Sequence, residues 1–250
     1  MSVPGEVNEI RSMTMEHFAY PYLKDFFGAD KVDKAKYAHL AASLATIPYL
    51  VSVDEFQHRV YEKPSMSAKE RRAVWHEIEQ KYLPWRDYDG MPFLEEGGFW
   101  MQKQHIFLYP FYYVDYALAQ VCAFMLYGKM KQDHEAAWES YLALCRAGGS
   151  KNYFELLKVA GLGIPFEEGS VEKAVRHVID ELESLISTAM VCTARKMILH
   201  GCFLVASELQ NTQIALCSIT QDICKQVVSF AVLIESRRFD VISWLRFTEY

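Results

Sequence analysis

The residues best suited to chemistry fall together at His105, Tyr109, Tyr112, Tyr113 and Tyr116, within an apolar run that extends from Met101 to Gln120. Imidazole and phenol groups donate hydrogen bonds. Where water is excluded, such donors stabilise a developing oxyanion by a few kcal/mol each. A buried segment that gathers several phenols must also find each hydroxyl a partner. An aromatic core helix is the plainer explanation for any one of these residues taken alone. Their order, however, is more specific than their composition.

That order resembles the substrate-binding segment of the M3 zinc oligopeptidases, the oligoendopeptidase F-like group. Other blocks carry the same resemblance. They are Glu6-Val-Asn-Glu-Ile-Arg-Ser-Met-Thr-Met-Glu16, the stretch from Pro48 through Asp54, Gln57 and His58 to Glu62, Leu83-Pro-Trp85, and Gly97-Gly-Phe-Trp100. Tyr141 to Ser150 and Leu156 to Gly161 follow in the same sequence order. Collinear blocks are far stronger evidence than a single motif. The resemblance implies that His105, Tyr113 and Tyr116 hold the oxyanion of the attacked peptide bond and that Glu9 is the third zinc ligand. It also suggests Tyr109 and Tyr112 as lining of the peptide channel, with core packing the equal alternative. Glu6 reads as a carboxylate that orients a zinc histidine, or as a solvated charge. His58 and Asp54 read better as a hydrogen-bonded pair joining core helices than as catalytic groups.

Zinc in such enzymes needs two histidines one helical turn apart, in His-Glu-x-x-His, and a further glutamate. The sequence contains no such motif. His76-Glu77 has Gln80 where the second His would stand, and His134-Glu135 has Trp138. Both read as solvated helix faces. In the family the glutamate follows the histidines by two to three dozen residues, so the histidine helix is expected upstream of Met1. Zinc then belongs to the complete enzyme, with none expected on this chain alone, and the chain is expected to be catalytically inactive.

Half of the 250 residues are hydrophobic, 51%, which is ample for a core, and the net charge of −6 gives no reason to expect nucleic acid. The sequence reads as carrying neither a signal peptide nor an apolar run long enough to span a bilayer, and none is expected. The six cysteines are therefore read as free thiols and the expected compartment is the cytoplasm, without membrane attachment.

Stepwise apolar spacing predicts helices over 13–27 (closed by Gly28), 31–53, 54–61 and 67–82, the last opening on a Ser67/Glu70 capping box. Pro48 is expected to kink or break its helix. Residues 83–100 are rich in Pro and Gly and read as a loop, with Gly97-Gly98 either a flexible cover over peptide or an ordinary turn. Further helices are expected over 102–128, interrupted or bent near Pro110, then 133–147, 150–159 and 170–186. The class is all-α, the C-terminal helical portion of an M3 zincin-like metallopeptidase with a tail of uncertain structure.

The resemblance ends near Ser187, giving an expected division into 1–187, the C-terminal part of the M3 catalytic domain, and 188–250, a non-family tail. A frameshift, readthrough and a genuine extension are all open for the tail. Cys192, His200, Cys202, Cys217 and Cys224 offer ligand types there, but their spacing matches no zinc finger or ribbon. The expected function is that of a fragment of a zinc-dependent metallo-oligoendopeptidase acting on short peptides, completed in trans by the missing N-terminal half. The alternatives are a non-catalytic peptide-binding pseudopeptidase and the product of a broken gene.

Overall fold

The structure, a computed structural model, describes residue 3 and residues 5–200, with side chains as far as residue 186. Ten α-helices follow one another among the described residues, with no strand. They are α1 (Gly5–Phe18), α2 (Leu23–Phe27), α3 (Val32–Glu62), α4 (Ala68–Tyr82), α5 (Pro92–Glu95), α6 (Gln104–Leu108), α7 (Tyr113–Gln132), α8 (His134–Ala147), α9 (Tyr153–Val159) and α10 (Ser170–His200). The all-α expectation holds. The expected division at Ser187 falls inside α10. Cys202, Cys217 and Cys224 lie outside the described residues, as do the side chains of Cys192 and His200.

The centre of the fold is α7. From Ala117 to Phe124 every side chain is buried, and Leu126 and Tyr127 follow. A helix apolar on all sides must be surrounded, and α1, α3, α8 and α10 all pack on it. Helix α1 presents Val7, Ile10, Thr14 and Phe18 in helical steps. Helix α3 buries Leu40, Leu44 and Ile47, then Leu50, Val51, Val53 and Phe56.

Local signals explain most boundaries. Ser67 accepts the Glu70 N–H at 3.3 Å while the Glu70 carboxylate accepts the Ser67 N–H at 2.7 Å, the expected capping box. Gly28 ends α2 at φ +82°, its N–H donating to Lys24. Several expectations shift. The helix expected over 13–27 starts earlier and divides at Tyr20–Tyr22, because Pro21 has no N–H to continue α1. Pro48 lies inside one continuous helix instead of ending it, and the Ser52 hydroxyl donates to its carbonyl at 2.8 Å. Asn152, not Ser150, caps α9, with Glu155 completing the box. His58 and Asp54 sit 3.6 Å apart one turn along α3.

Gly97-Gly98 is no flexible cover. Gly97 has φ +86°, and a Cβ there would lie 2.1 Å from the Arg72 carbonyl oxygen of α4. Only glycine allows that backbone conformation and that approach. The loop is pressed against α4. No helix among the described residues is long and apolar enough to cross a membrane.

A polar junction fastens α1, α3, α7 and α10 at the end remote from His105. Glu181 accepts from Tyr127 at 2.7 Å and Lys131 at 2.9 Å, and it pairs with Lys36. Burial pushes its carboxyl up, but hydrogen bonds from Lys36, Tyr127 and Lys131 outweigh that and hold it at about 2. Beside it His17 is fully buried, stacked on Tyr127 at 4.7 Å, with both ring nitrogens unpartnered. Burial above all, then His39 and His177, pushes its imidazole down from 6.5 to about 3. A lowered histidine gives stability that is whole above the unfolded value and declines as pH falls toward the folded one. Replacing His17 by Phe keeps a ring on Tyr127 and removes that proton. As pH falls from about 6.5 to about 5, H17F is expected to gain on the parent by about 1–2 kcal/mol in urea denaturation. Parallel curves would refute this.

Candidate active site

The predicted site residues come together where α1 meets the start of α7. Glu6 and Glu9, one turn apart on α1, face the segment that carries Tyr112, Asp115 and Tyr116. Gly5 permits the approach, since a Cβ there would lie 2.6 Å from Asp115 Oδ2. The Tyr112 hydroxyl donates to Glu9 Oε1 at 2.7 Å, across 103 positions of sequence. Ser12 donates to Glu9 Oε2 at 3.2 Å from one turn farther along the same helix. One carboxylate is thus held from both sides by neutral hydroxyls.

Around it stand the other predicted residues. The His105 ring lies 5.1 Å from Tyr113, 6.2 Å from Tyr116 and 6.4 Å from Tyr112, nearly parallel to the last at 10°. Tyr116 is 5.4 Å from Tyr112 and 5.7 Å from Tyr113. Burial pushes the Tyr113 and Tyr116 hydroxyls up, and for Tyr116 the charge of Glu9 adds to it. Both therefore stay protonated at neutral pH and are available as donors. Tyr112 belongs to the cluster through Glu9, whereas Tyr109, 55% exposed and 5.9 Å from His105, forms its rim.

Three residues of the site were not singled out by sequence. Tyr49 of α3 packs edge-on against Tyr113 at 5.9 Å. Gln57 accepts the Phe111 N–H at 3.3 Å. Asp115, 2% exposed, is the most perturbed group there. Burial, then the charges of Glu6, Glu9 and Asp54, raises its carboxyl from 3.8 to about 9. Glu6 is buried too, and burial raises it. Asp115 Oδ1 has no partner. An acid inside Tyr113-Val-Asp115-Tyr116, in an otherwise apolar run, was the visible signal for it.

Chemically, the site offers one partly exposed carboxylate, two buried acids behind it, and a wall of imidazole and phenol donors. Among the described residues, no group of three or more His, Cys, Asp or Glu side chains could hold a metal. His76, Glu77, His134 and Glu135 are all exposed.

The sequence profile of peptidase family M3 matches residues 1–175. Among solved structures, one assigned as an oligoendopeptidase F is 48% identical over 73% of this chain and 32% of its own, with a TM-score of 0.71. PZ peptidase A, solved with an inhibitor, is 45% identical over 73% and 32%, also at 0.71. A structure from Bacillus anthracis str. Ames, likewise assigned as an oligoendopeptidase F, is 39% identical over 73% and 29%, at 0.61. The chain spans about a third of the length of each. No curated protein matches it. With the family profile covering well over half of its residues and helices superposing on these peptidases, the chain belongs to peptidase family M3.

Proposed function

We propose that this chain is the carboxylate-and-tyrosine portion of a zinc-dependent oligoendopeptidase, acting on short peptides once a His-Glu-x-x-His helix is supplied. The observation that carries this reading is the 2.7 Å bond from Tyr112 to Glu9, which sets the predicted ligand carboxylate directly against the His105/Tyr113/Tyr116 wall. In this reading residues 1–187 are the family portion, the setting is cytoplasmic, and the partner is an N-terminal segment acting in trans.

The described residues do not fit zinc on their own. Glu9 is a single carboxylate, and zinc sites use three or four protein ligands. Glu9 is therefore one ligand of a set completed from elsewhere. The work of this chain's own residues lies at the substrate carbonyl. As an attacked carbonyl becomes an oxyanion, the Tyr113 and Tyr116 hydroxyls and the His105 ring donate to it from a wall already in place. Fixed donors aimed at developing charge cost no reorganisation at the moment of reaction. Raised phenol values keep those protons in position across neutral pH.

The purified chain with zinc is expected to leave quenched fluorescent peptides uncut, and co-expression with a polypeptide carrying the family's His-Glu-x-x-His helix to restore zinc-dependent cleavage. Cleavage by the chain alone that disappears in Glu9→Gln would overturn the assignment of inactivity. In the reconstituted enzyme, Tyr113→Phe and Tyr116→Phe should each lower kcat by roughly 10²–10³ with KM little changed. Wild-type kcat in both would remove the oxyanion role.

Asp115 yields a third expectation. A raised carboxyl gives stability that is whole below the unfolded value, here 3.8, and is lost as pH rises toward about 9. Asp115→Asn removes that loss. The variant should be more stable than the parent near pH 8, and the advantage should shrink steadily toward pH 4. Destabilisation at pH 8 would mean that the carboxylate is a structural support instead.

A further inference from the structure

Between α6 and α7 the chain reverses through Tyr109-Pro110-Phe111-Tyr112, and Phe111 adopts φ +61°. For a bulky aromatic residue that region is strained and survives only where the surroundings over-determine it. The surroundings here come from one stretch of α3. Gln57, 2% exposed, accepts the Phe111 N–H through Oε1 at 3.3 Å. The Phe111 ring packs between His58, at 4.8 Å, and Tyr61, at 5.0 Å. His58 is in turn braced by Asp54 on the preceding turn. Within a carboxamide only the oxygen can accept an N–H, so the bond also fixes which way the Gln57 amide points, leaving Nε2 buried without a partner.

The residues that follow this strained peptide are the ones the site depends on. Tyr112, the next residue, reaches Glu9, and Tyr113, the one after, faces His105. A relaxed Phe111 would turn the following Cα–Cβ bonds, so both rings would leave their places together. We propose that Gln57 is a positioning residue for the oxyanion wall, which clamps Phe111 in its left-handed conformation and so sets where Tyr112 and Tyr113 stand. The proposal rests on the peptidase reading for its functional meaning. The Gln57 hydrogen bond goes to the turn itself, so its influence on the site passes through Phe111. His58 and Tyr61 are the apolar half of the same clamp, which gives this family-like block of α3 a use beyond core packing.

The test is made on the whole chain without turnover, so its outcome is separate from that of the reconstituted peptidase. Gln57→Met keeps length and volume but removes the acceptor. In the parent, the Phe111 amide should be protected from hydrogen exchange to a degree comparable with the first amides of α7. In Gln57→Met that amide should exchange about tenfold faster or more. The His105 and Tyr112 ring resonances should move with it, while the amides of residues 117–127 keep their protection. Unchanged ring resonances, or protection lost evenly along α3 and α7, would make Gln57 a simple core residue and overturn the proposal. Should Gln57→Met fail to fold, the parent still decides. A Phe111 amide that exchanges like one in an open turn overturns the clamp, and a protected one supports it.

Discussion

Everything in this fold depends on burying α7 on all its faces. A helix with no solvent side cannot be stable alone, so α1, α3, α8 and α10 must be assembled around it before any of them is secure. The same constraint creates the site. The first turn of α7 carries Asp115 into the packed interior and leaves Tyr113 and Tyr116 half-buried beside it, where hydroxyls and carboxyls call for polar partners. Glu9 of α1 meets the Tyr112 hydroxyl while one oxygen of Asp115 is left without a partner, and burial, reinforced at Asp115 by the charges of Glu6, Glu9 and Asp54, raises both Asp115 and Glu6.

The two ends of α7 resolve their buried charge in opposite ways. Near Tyr127 the carboxylate of Glu181 is matched by two lysines and a phenol, and its proton is easily lost. Near Asp115 the charges that bear on it come from Glu6, Glu9 and Asp54, one oxygen has no partner, and the proton is held. The first arrangement holds a structure together. The second is costly to the folded chain, which fits strain kept at a functional surface.

Much of this was legible in the residues. Ser67 with Glu70 announces a helix start because both halves of the capping box are local, and Gly28 announces a stop for the same reason. The His105-to-Tyr116 run and Glu9 could be picked out by their order along the chain, and folding brings them within hydrogen-bond or ring-contact distance of one another. What could not be read was tertiary. Pro48 stays inside α3 because packing on both sides of it outweighs one lost hydrogen bond. Asn152 takes the cap from Ser150 because the chain first turns at Gly148, at φ +55°. Gly97 resembles a hinge in sequence, and only the nearness of the Arg72 carbonyl makes it a fixed contact. Gln57 meets Phe111 across a separation of 54 residues, of the kind that no local pattern encodes.

The length of α3 has a mechanical consequence. Lys36, at one end, belongs to the Glu181 junction, and Gln57, toward the other, grips Phe111, so a single rod spans the molecule over roughly 30 Å at 1.5 Å per residue. Pivoting such a rod by about one degree displaces its far end by roughly half an ångström, and about 1 Å of misplacement is enough to cost an enzyme much of its rate. Pro48, with a backbone bond missing at mid-span, is the natural place for that flexing. The junction at Lys36 therefore acts as the anchored end of a lever whose free end holds the tyrosine wall.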